Sequence, residues 1–495
     1  MLTHGKNRCY KLNHPFASRY SFMSLGNLLH QIGNRLSPNT HYDDGEPLPG
    51  ELTLALLPVW HITERTFELW LLSRGCCITY SSIRTFKEDL AKYKPQWLVL
   101  VPRVLEKIAT GIQDKFASGG MVVKLLVKFF TRIAGFRASH FKISNQLVVG
   151  YHPPSDRQVI QSKLLCAALS PLHTIGTKIV WSKVQNGFGG RVKAIICGGS
   201  ALASSLESFY EICGISICVG YGLTECSPLL THRQKDRNLV AGGSVGQPCI
   251  DTEIRIVDPS VDSTSTVRER SSLPLGQIGL IIAKGPQITA GYYKNMQATK
   301  NAIDQFGFFD TGDLGRLNPA TGDLIITGRC KDTIVLSNGE NIEPSPIEDA
   351  ILAQISMIQQ VMLTGQDGRS LIAIIVLNIN ELVEAGFLDG KLGKTLQKNF
   401  DKVNDPKCSE DDCTLGCSIL NEESENLRKN HVLVSVLMNQ ISQATVGFRK
   451  WEQVGSVLLT LEPFSMCNSL LTQSYKVKRD AVLKRYEGHI QKIPQ

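Results

Sequence analysis

The chain reads as an α/β protein: a large N-terminal domain of parallel sheets wrapped by helices, a small β subdomain, and a smaller α+β C-terminal domain. Three observations predict this. Apolar strand-length runs alternate with helical periodicity between residues 51 and 108; two later strands end in glycine-bearing polar loops; and beyond residue 250 the pattern changes to short strands broken by turn signals.

The alternation starts with ELTLALLPVWHITERTFELWLLSRGCCITY (51–80), a strand stopped at Pro58, a helix after His61 that turns Phe67, Leu69, Trp70 and Leu71 inward, and a second strand. LAKYKPQWLVLVPRVLEKI (90–108) repeats it, so a parallel sheet is expected. Residues 106–183 look helical. Within them MVVKLLVKFFTRIAGFR (121–137) sets Lys124, Lys128 and Arg132 on one stripe and fills the rest with apolar residues, which suits a packed helix with one solvated face or a helix lying on a membrane.

RVKAIICGGSALASSLESFYEI (191–212) is a buried strand, a Gly-Gly-Ser turn and a helix, and GISICVGYGLTE (214–225) is a strand running straight into Tyr221, Gly222, Thr224 and Glu225. Two parallel strands with such ends at one sheet edge form a crevice that suits a nucleotide. Either loop alone is common in sheets that bind nothing. Short strands follow, with turns at Asn318-Pro319, Thr321-Gly322 and Asn338-Gly339. The domain boundary is placed near Arg329 to Asp332, and a polar insert at about 400–425 interrupts the helix-rich end.

Composition narrows the function classes. Lys plus Arg number 53 against 45 Asp plus Glu, a formal charge of +8 over 495 residues, too even for a nucleic-acid binder. The 14 cysteines are scattered, often inside apolar runs, which implies reduced thiols in an intracellular compartment. Cys408-x4-Cys413-x3-Cys417 has loose metal-like spacing, but without a fourth nearby ligand it reads as solvated loop cysteines. No run approaches the ~20 uninterrupted apolar residues of a membrane span, so a soluble or peripheral protein is expected.

In this order and at these separations, YGLTECSP (221–228), FDTGDLGRL (309–317) and GRCKDTIVLSNGENIEPSPIE (328–348) resemble the adenylate-forming superfamily, and LPVWHITER and VPRVLEK resemble its long-chain fatty acyl branch. The resemblance runs from about Asn27 to the C terminus. It implies ATP-dependent activation of a long-chain fatty acid through an acyl-adenylate, with Mg²⁺, and transfer to a thiol. It further implies that Tyr221 stacks on adenine beside Gly198, Gly199, Ser200 and Gly222, that Thr224 touches phosphate, and that Glu225 anchors the metal. Asp313 would hold the ribose, with Arg329 as a second ribose or phosphate contact. Lys331 would be the hinge of a mobile lid domain, 330–495, after an AMP-binding domain, 27–329. Lys476 in YKVKR would be the catalytic lysine, Lys478 its alternative; Gln473 and Ser474 depart from the family's Pro and Thr. Gly339 and Glu340 would line the thiol tunnel, and His61 would sit at the acyl pocket.

Two further regions depart from the family. No Ser/Thr/Gly-rich loop ending in Pro-Lys-Gly occurs in the chain. It opens MLTH and reaches NLLHQI at Asn27, with residues 5–26 foreign in appearance between, as in a truncated gene product whose 5–26 segment is translated non-coding sequence. A transit peptide is the rival reading, since residues 1–42 hold Lys6, Arg8, Lys11, Arg19 and Arg35 and no acid. Within the branch, GENIEPSPIE, KDTIVLSNGE and LLTQSYKVKRD resemble most the plastidial acyl–acyl carrier protein synthetases of plants. That implies acyl carrier protein as acceptor, with coenzyme A as the alternative, and a chloroplast location. A non-catalytic acyl- or carrier-protein-binding remnant is the second reading.

Overall fold

A computed structural model describes residues 21–33, 46–147, 154–233, 244–259, 270–405, 408–472 and 476–493. The chain divides into two compact units, 1–326 and 327–495.

In the first unit, helix α1 (Leu25–Gly33) precedes the alternation β1 (Leu52–Ala55), α2 (Ile62–Ser73), β2 (Cys77–Tyr80), α3 (Phe86–Tyr93), β3 (Trp97–Leu100) and α4 (Pro102–Ala117). Two of the helix starts have a clear local cause. The His61 ring accepts the Thr63 N–H at 3.3 Å as the cap of α2, and Pro102 opens α4, where its missing N–H is no loss. Two long helices, α5 (Met121–Ser144) and α6 (Asp156–Gly176), then pack as a pair. Gly176 allows this, because a Cβ there would meet the Phe130 ring. α6 runs through a π-helical turn, Thr177–Trp181, into α7 (Ser182–Gly187).

β4 (Ala194–Cys197), α8 (Ser204–Ile212) and β5 (Ile217–Gly222) complete the winding. The sheet order is β2-β1-β3-β4-β5, all parallel, extended by β6 (Leu229–His232) and β7 (Gln247–Pro248), both antiparallel to their neighbours. Leu54, Leu98, Leu100 and Ile195 are fully buried in it, against Leu105, Phe188 and Tyr210. The second sheet, in order β11-β10-β9-β8, is formed by β8 (Glu253–Val257), β9 (Gly279–Lys284), β10 (Phe309–Leu317) and β11 (Leu324–Arg329), with α9 (Met296–Ala302) between β9 and β10.

In the second unit, the hairpin β12 (Ile334–Val335) and β13 (Asn341–Ile342) leads to α10 (Pro344–Gln354), β14 (Ile358–Thr364), β15 (Leu371–Leu377), α11 (Ile379–Glu384), α12 (Gly390–Asn404), α13 (Glu410–Arg428), α14 (His431–Ala444), β16 (Val454–Thr460) and α15 (Arg479–Ile490). β15 is central in the sheet β14-β15-β16, and all seven of its residues are buried. A central strand covered on both faces reads as a continuous apolar run, which is why LIAIIVL stands out in the sequence.

Two sequence expectations need correction, and one helix needs comment. The polar insert at 400–425 is not a loop: Ser409 caps α13, whose i, i+3/i+4 face buries Cys413, Cys417, Leu420 and Leu427. Cys413 and Cys417 are therefore core residues rather than solvated ones. Residues 5–26 are not wholly foreign to the fold. Residues 5–20, like Met1–His4, lie outside the described residues, but the Phe22 N–H donates to Gly291 O at 2.8 Å, Ser21 bridges to Tyr292, and Met23 is buried. Finally, the helix spanning Asp156–Gly187 is long and apolar enough to cross a bilayer by length and composition alone. Ser170, His173, Thr174 and Thr177 interrupt its apolar run, so it passes on mean hydropathy and not on uninterrupted apolar length.

Candidate active site

Parallel strands β4 and β5 are neighbours, so their C-terminal loops emerge at one edge. Gly198, Gly199 and Ser200 follow β4; Gly198 is half-buried, and Gly199 and Ser200 are exposed. Gly199 has φ +88°, a conformation that favours glycine. Tyr221 and Gly222 end β5, and Thr224–Cys226 forms one 3₁₀ turn that doubles the chain back towards β6. Gly222 is dictated by that reversal: a Cβ would collide with the Pro228 carbonyl. Thr224 and Glu225 are both half-buried at the edge.

Two phenol–carboxylate bonds fix this edge. The Tyr221 hydroxyl donates to Asp313 Oδ2 at 2.7 Å, and the Tyr292 hydroxyl donates to Glu225 Oε1 at 2.9 Å. Burial, reinforced by the Asp313 carboxylate, pushes the Tyr221 phenol well up, so it stays a donor across the physiological range. Asp313 is buried in β10, where its N–H donates to Thr311 Oγ1 at 3.1 Å and Thr311 in turn donates to Ile281 O at 2.7 Å. The Glu225 carbonyl accepts the Thr289 N–H at 2.7 Å. The edge thus brings Asp313 of β10 to the loop that carries Tyr221, Thr224 and Glu225.

Tyr292 and Thr289 were not foreseen. The segment GPQITAGYY offers no local sign that its first tyrosine meets Glu225; only the tertiary packing of the stretch after β9 brings it there. His61 has a structural task, capping α2. The same helix touches the site loop through the Thr66 hydroxyl, 3.4 Å from Ser227 O.

The remaining candidates belong to the second unit. Arg329, Cys330 and Lys331 are exposed, and the Arg329 carbonyl accepts the N–H groups of Asp332 at 3.0 Å and Thr333 at 3.1 Å, turning the chain there. Gly339, φ +83°, makes the β12–β13 turn, with half-buried Glu340 beside it. Lys476 is held in a tight hairpin: its N–H donates to Thr472 Oγ1 at 3.0 Å and its carbonyl accepts the Thr472 N–H at 2.8 Å. Just beyond, the Arg479 guanidinium grips both oxygens of Glu348, at 2.8 and 2.7 Å, which ties the hairpin's exit to α10. Gln473 and Ser474 lie outside the described residues.

Glu225 fits a hard divalent cation in donor type: a half-buried carboxylate held by a neutral phenol rather than by a cation. A separate cleft of about 360 Å³ opens between α5, α6 and α8, lined by Phe141, Lys142, His173 and Glu211. It reaches Ser216 and Ile217 at the N-terminal end of β5, the opposite end of that strand from Tyr221, and so is not part of this edge.

The chain matches the AMP-binding enzyme family over residues 22–293 and the AMP-binding enzyme C-terminal domain over residues 331–405. Among curated proteins it is 33% identical to the probable acyl-activating enzyme 16, chloroplastic, of Arabidopsis thaliana, covering 94% of this chain and 60% of that protein. It is 31% identical to the long-chain-fatty-acid–[acyl-carrier-protein] ligase AEE15, chloroplastic, of the same plant, covering 94% and 58%. The chain therefore spans about 60% of the length of these relatives. Among solved structures it resembles the A-PCP didomain of carboxylic acid reductase from Segniliparus rugosus in complex with AMP, at TM-score 0.58 and 18% identity over 96% of this chain and 51% of that one. ATP-bound MatB from Rhodopseudomonas palustris gives TM-score 0.56 and 16% identity, over 95% and 65%. At these identities the structural likeness is one of fold. The sequence match covers more than half of the residues, and the chain belongs to the AMP-binding enzymes, the adenylate-forming superfamily.

Proposed function

We propose that this chain activates a long-chain fatty acid with ATP and passes the acyl group to the phosphopantetheine thiol of acyl carrier protein, with coenzyme A as the alternative acceptor, in a plastid. In the first step a carboxylate oxygen bonds to the α-phosphorus and pyrophosphate leaves. In the second the thiol sulfur bonds to the acyl carbon, AMP leaves, and the thiol proton passes to solvent. The observation that carries the reading is the Tyr221–Asp313 bond, which sets an aromatic face and a buried carboxylate side by side at the end of a parallel strand.

In this reading Tyr221 offers its ring to adenine, flanked by Gly198, Gly199 and Ser200, whose small side chains let a flat base approach the backbone. Asp313 accepts from the ribose hydroxyls, and its bond from Tyr221 leaves it acceptor capacity to do so. Thr224 donates to the phosphate. Glu225, oriented by Tyr292, would hold Mg²⁺, which when bound neutralises phosphate charge. Lys476 brings a cation to the charge developing on the transferred phosphate, and Arg329 makes a further ribose or phosphate contact. Lys331 is the hinge, Gly339 and Glu340 line the thiol path, and His61 borders the acyl pocket. The acceptor assignment follows the 31%-identical long-chain-fatty-acid–[acyl-carrier-protein] ligase, and the mild positive charge suits an acidic carrier.

The test is palmitate-dependent ATP–pyrophosphate exchange by the purified chain. Lys476→Ala and Asp313→Asn should abolish or sharply lower it, and Tyr221→Phe, which loses one hydrogen bond worth about 1 kcal/mol, should lower it several-fold. Exchange untouched by Asp313→Asn would overturn the site. No exchange from folded protein that still binds acyl carrier protein would establish the non-catalytic binding reading instead.

A further inference from the structure

The second unit gathers thiols from two distant segments of the chain. Cys408 precedes the Ser409 cap of α13, Cys413 lies in the first turns of that helix, and Cys467 lies in the turn after β16. Their three sulfurs all lie within 4.8 Å of one another. Cys413 is buried, whereas Cys408 and Cys467 are half-buried. Cys417, one turn further along α13, is buried on the same helix face as Cys413.

We propose that Cys408, Cys413 and Cys467 form a thiolate site for Zn²⁺ that clamps the start of α13 to the turn after β16.

The geometry fits the ion. At Zn–S ~2.3 Å a tetrahedral centre sets its sulfurs roughly 3.8 Å apart, so the thiols need close by only about 1 Å or less, within reach of side-chain rotation. The scaffold is stiff on both sides. Ser465 accepts the Asn468 N–H at 3.3 Å, and the Asn468 amide donates to Pro463 O at 2.8 Å and to Glu462 at 3.2 Å. Glu462 is itself fully buried and gripped by Arg485 at 2.9 Å. On the other side, Ser409 accepts the Asp412 N–H at 3.2 Å to start α13. The carboxylates of Glu410, Asp411 and Asp412 in the same turn favour a divalent cation.

Binding exchanges charge in a defined way: three thiols lose three protons to solvent, three thiolates coordinate one Zn²⁺, and water completes the tetrahedron on the side where Cys408 and Cys467 meet solvent. The site stands apart from the proposed ligase activity. It does, however, brace the same segment that runs on to Lys476.

The test uses the full chain, purified under reducing conditions with Zn²⁺, passed over a chelating resin, and assayed for bound metal by elemental analysis. About one zinc per chain is expected, falling to background in Cys408→Ala/Cys467→Ala and unchanged in Cys77→Ala, an exposed cysteine in β2. Removal of zinc with a strong chelator should lower the melting temperature of the wild-type chain and leave that of the double variant unmoved. Titration of the wild-type chain with Co²⁺ should give sulfur-to-cobalt charge-transfer absorption saturating at one equivalent, a readout that does not depend on the double variant folding. A chain that retains no zinc and shows no such band overturns the proposal. So does peptide mapping that finds two of the three cysteines joined as a disulfide after purification without reductant.

Discussion

Glu64 is a carboxyl in the wrong place for its charge. It sits on α2, is 2% exposed, and its Oε2 has no hydrogen-bond partner. Burial, with Glu68 one turn along the helix, pushes its pKa up to about 8. The sign follows from linkage. Below the ordinary carboxyl value the group is neutral in both states. Between that value and about 8 the unfolded chain has released the proton that the folded chain keeps, so stability falls as pH rises, by about 1.4 kcal/mol per unit from this group. Glu64→Gln should remove that slope and raise the urea midpoint at about pH 8 more than at about pH 6; parallel shifts at the two pH values would refute the assignment. Residue by residue, legibility tracked locality. Thr224 and Glu225 adjoin their strand and were readable in sequence, and Gly222 has a steric cause six residues away, but Tyr292 reaches Glu225 only through tertiary pairing. Glu64 looks in sequence like any solvated acid at a helix start.

At the scale of elements, α5 raises a question its packing does not answer. Phe130 and Ala134 face α6 and the core, yet Val122, Leu125, Phe129 and Phe136 are 69, 61, 52 and 51% exposed, beside exposed Lys124, Lys128 and Arg132. An apolar stripe next to a basic one is the arrangement that lies on an anionic bilayer, rings in the acyl boundary and cations at headgroups. The chain should therefore co-sediment with phosphatidylglycerol vesicles and not with phosphatidylcholine ones. Lys124→Glu/Lys128→Glu should weaken this at least roughly tenfold, since each basic residue near the surface is worth ~1 kcal/mol. Binding that ignores both lipid charge and these substitutions would remove α5 from the interaction. α5 was legible in sequence as a helix with a basic stripe, because 3.6-residue periodicity is a local property. α13 was not: its charged first turn and scattered polar residues conceal a narrow buried face, and only the neighbours β16 and α12 make Cys413 and Cys417 interior.

At the scale of the whole chain, the two units differ in what they bury. A single apolar cluster, running from Ile334 and Leu336 through the whole of β15 to Val482 and Tyr486, contains only residues of the second unit. Its polar core closes on itself as well: buried Glu462 is held by Arg485, Tyr486, Asn421 and Asn468, all of the same unit. A unit with its own core and its own satisfied buried charge meets the physical definition of a domain; in the sequence its start near Arg329 to Asp332 shows only as a change of strand and helix pattern. The fragment 327–495 should accordingly fold alone, with a cooperative thermal transition. In the full chain, a mutation confined to it, such as Phe400→Ala in α12, should lower that transition without moving the one belonging to residues 1–326. Removing a fully buried phenylalanine costs about 3–5 kcal/mol, enough to separate the two melts by calorimetry. A fragment that melts without cooperativity, or a Phe400→Ala chain whose transitions move together, would show that the cores depend on each other. That outcome would tie the stability of the segment bearing Lys476 to the sheet that carries Tyr221.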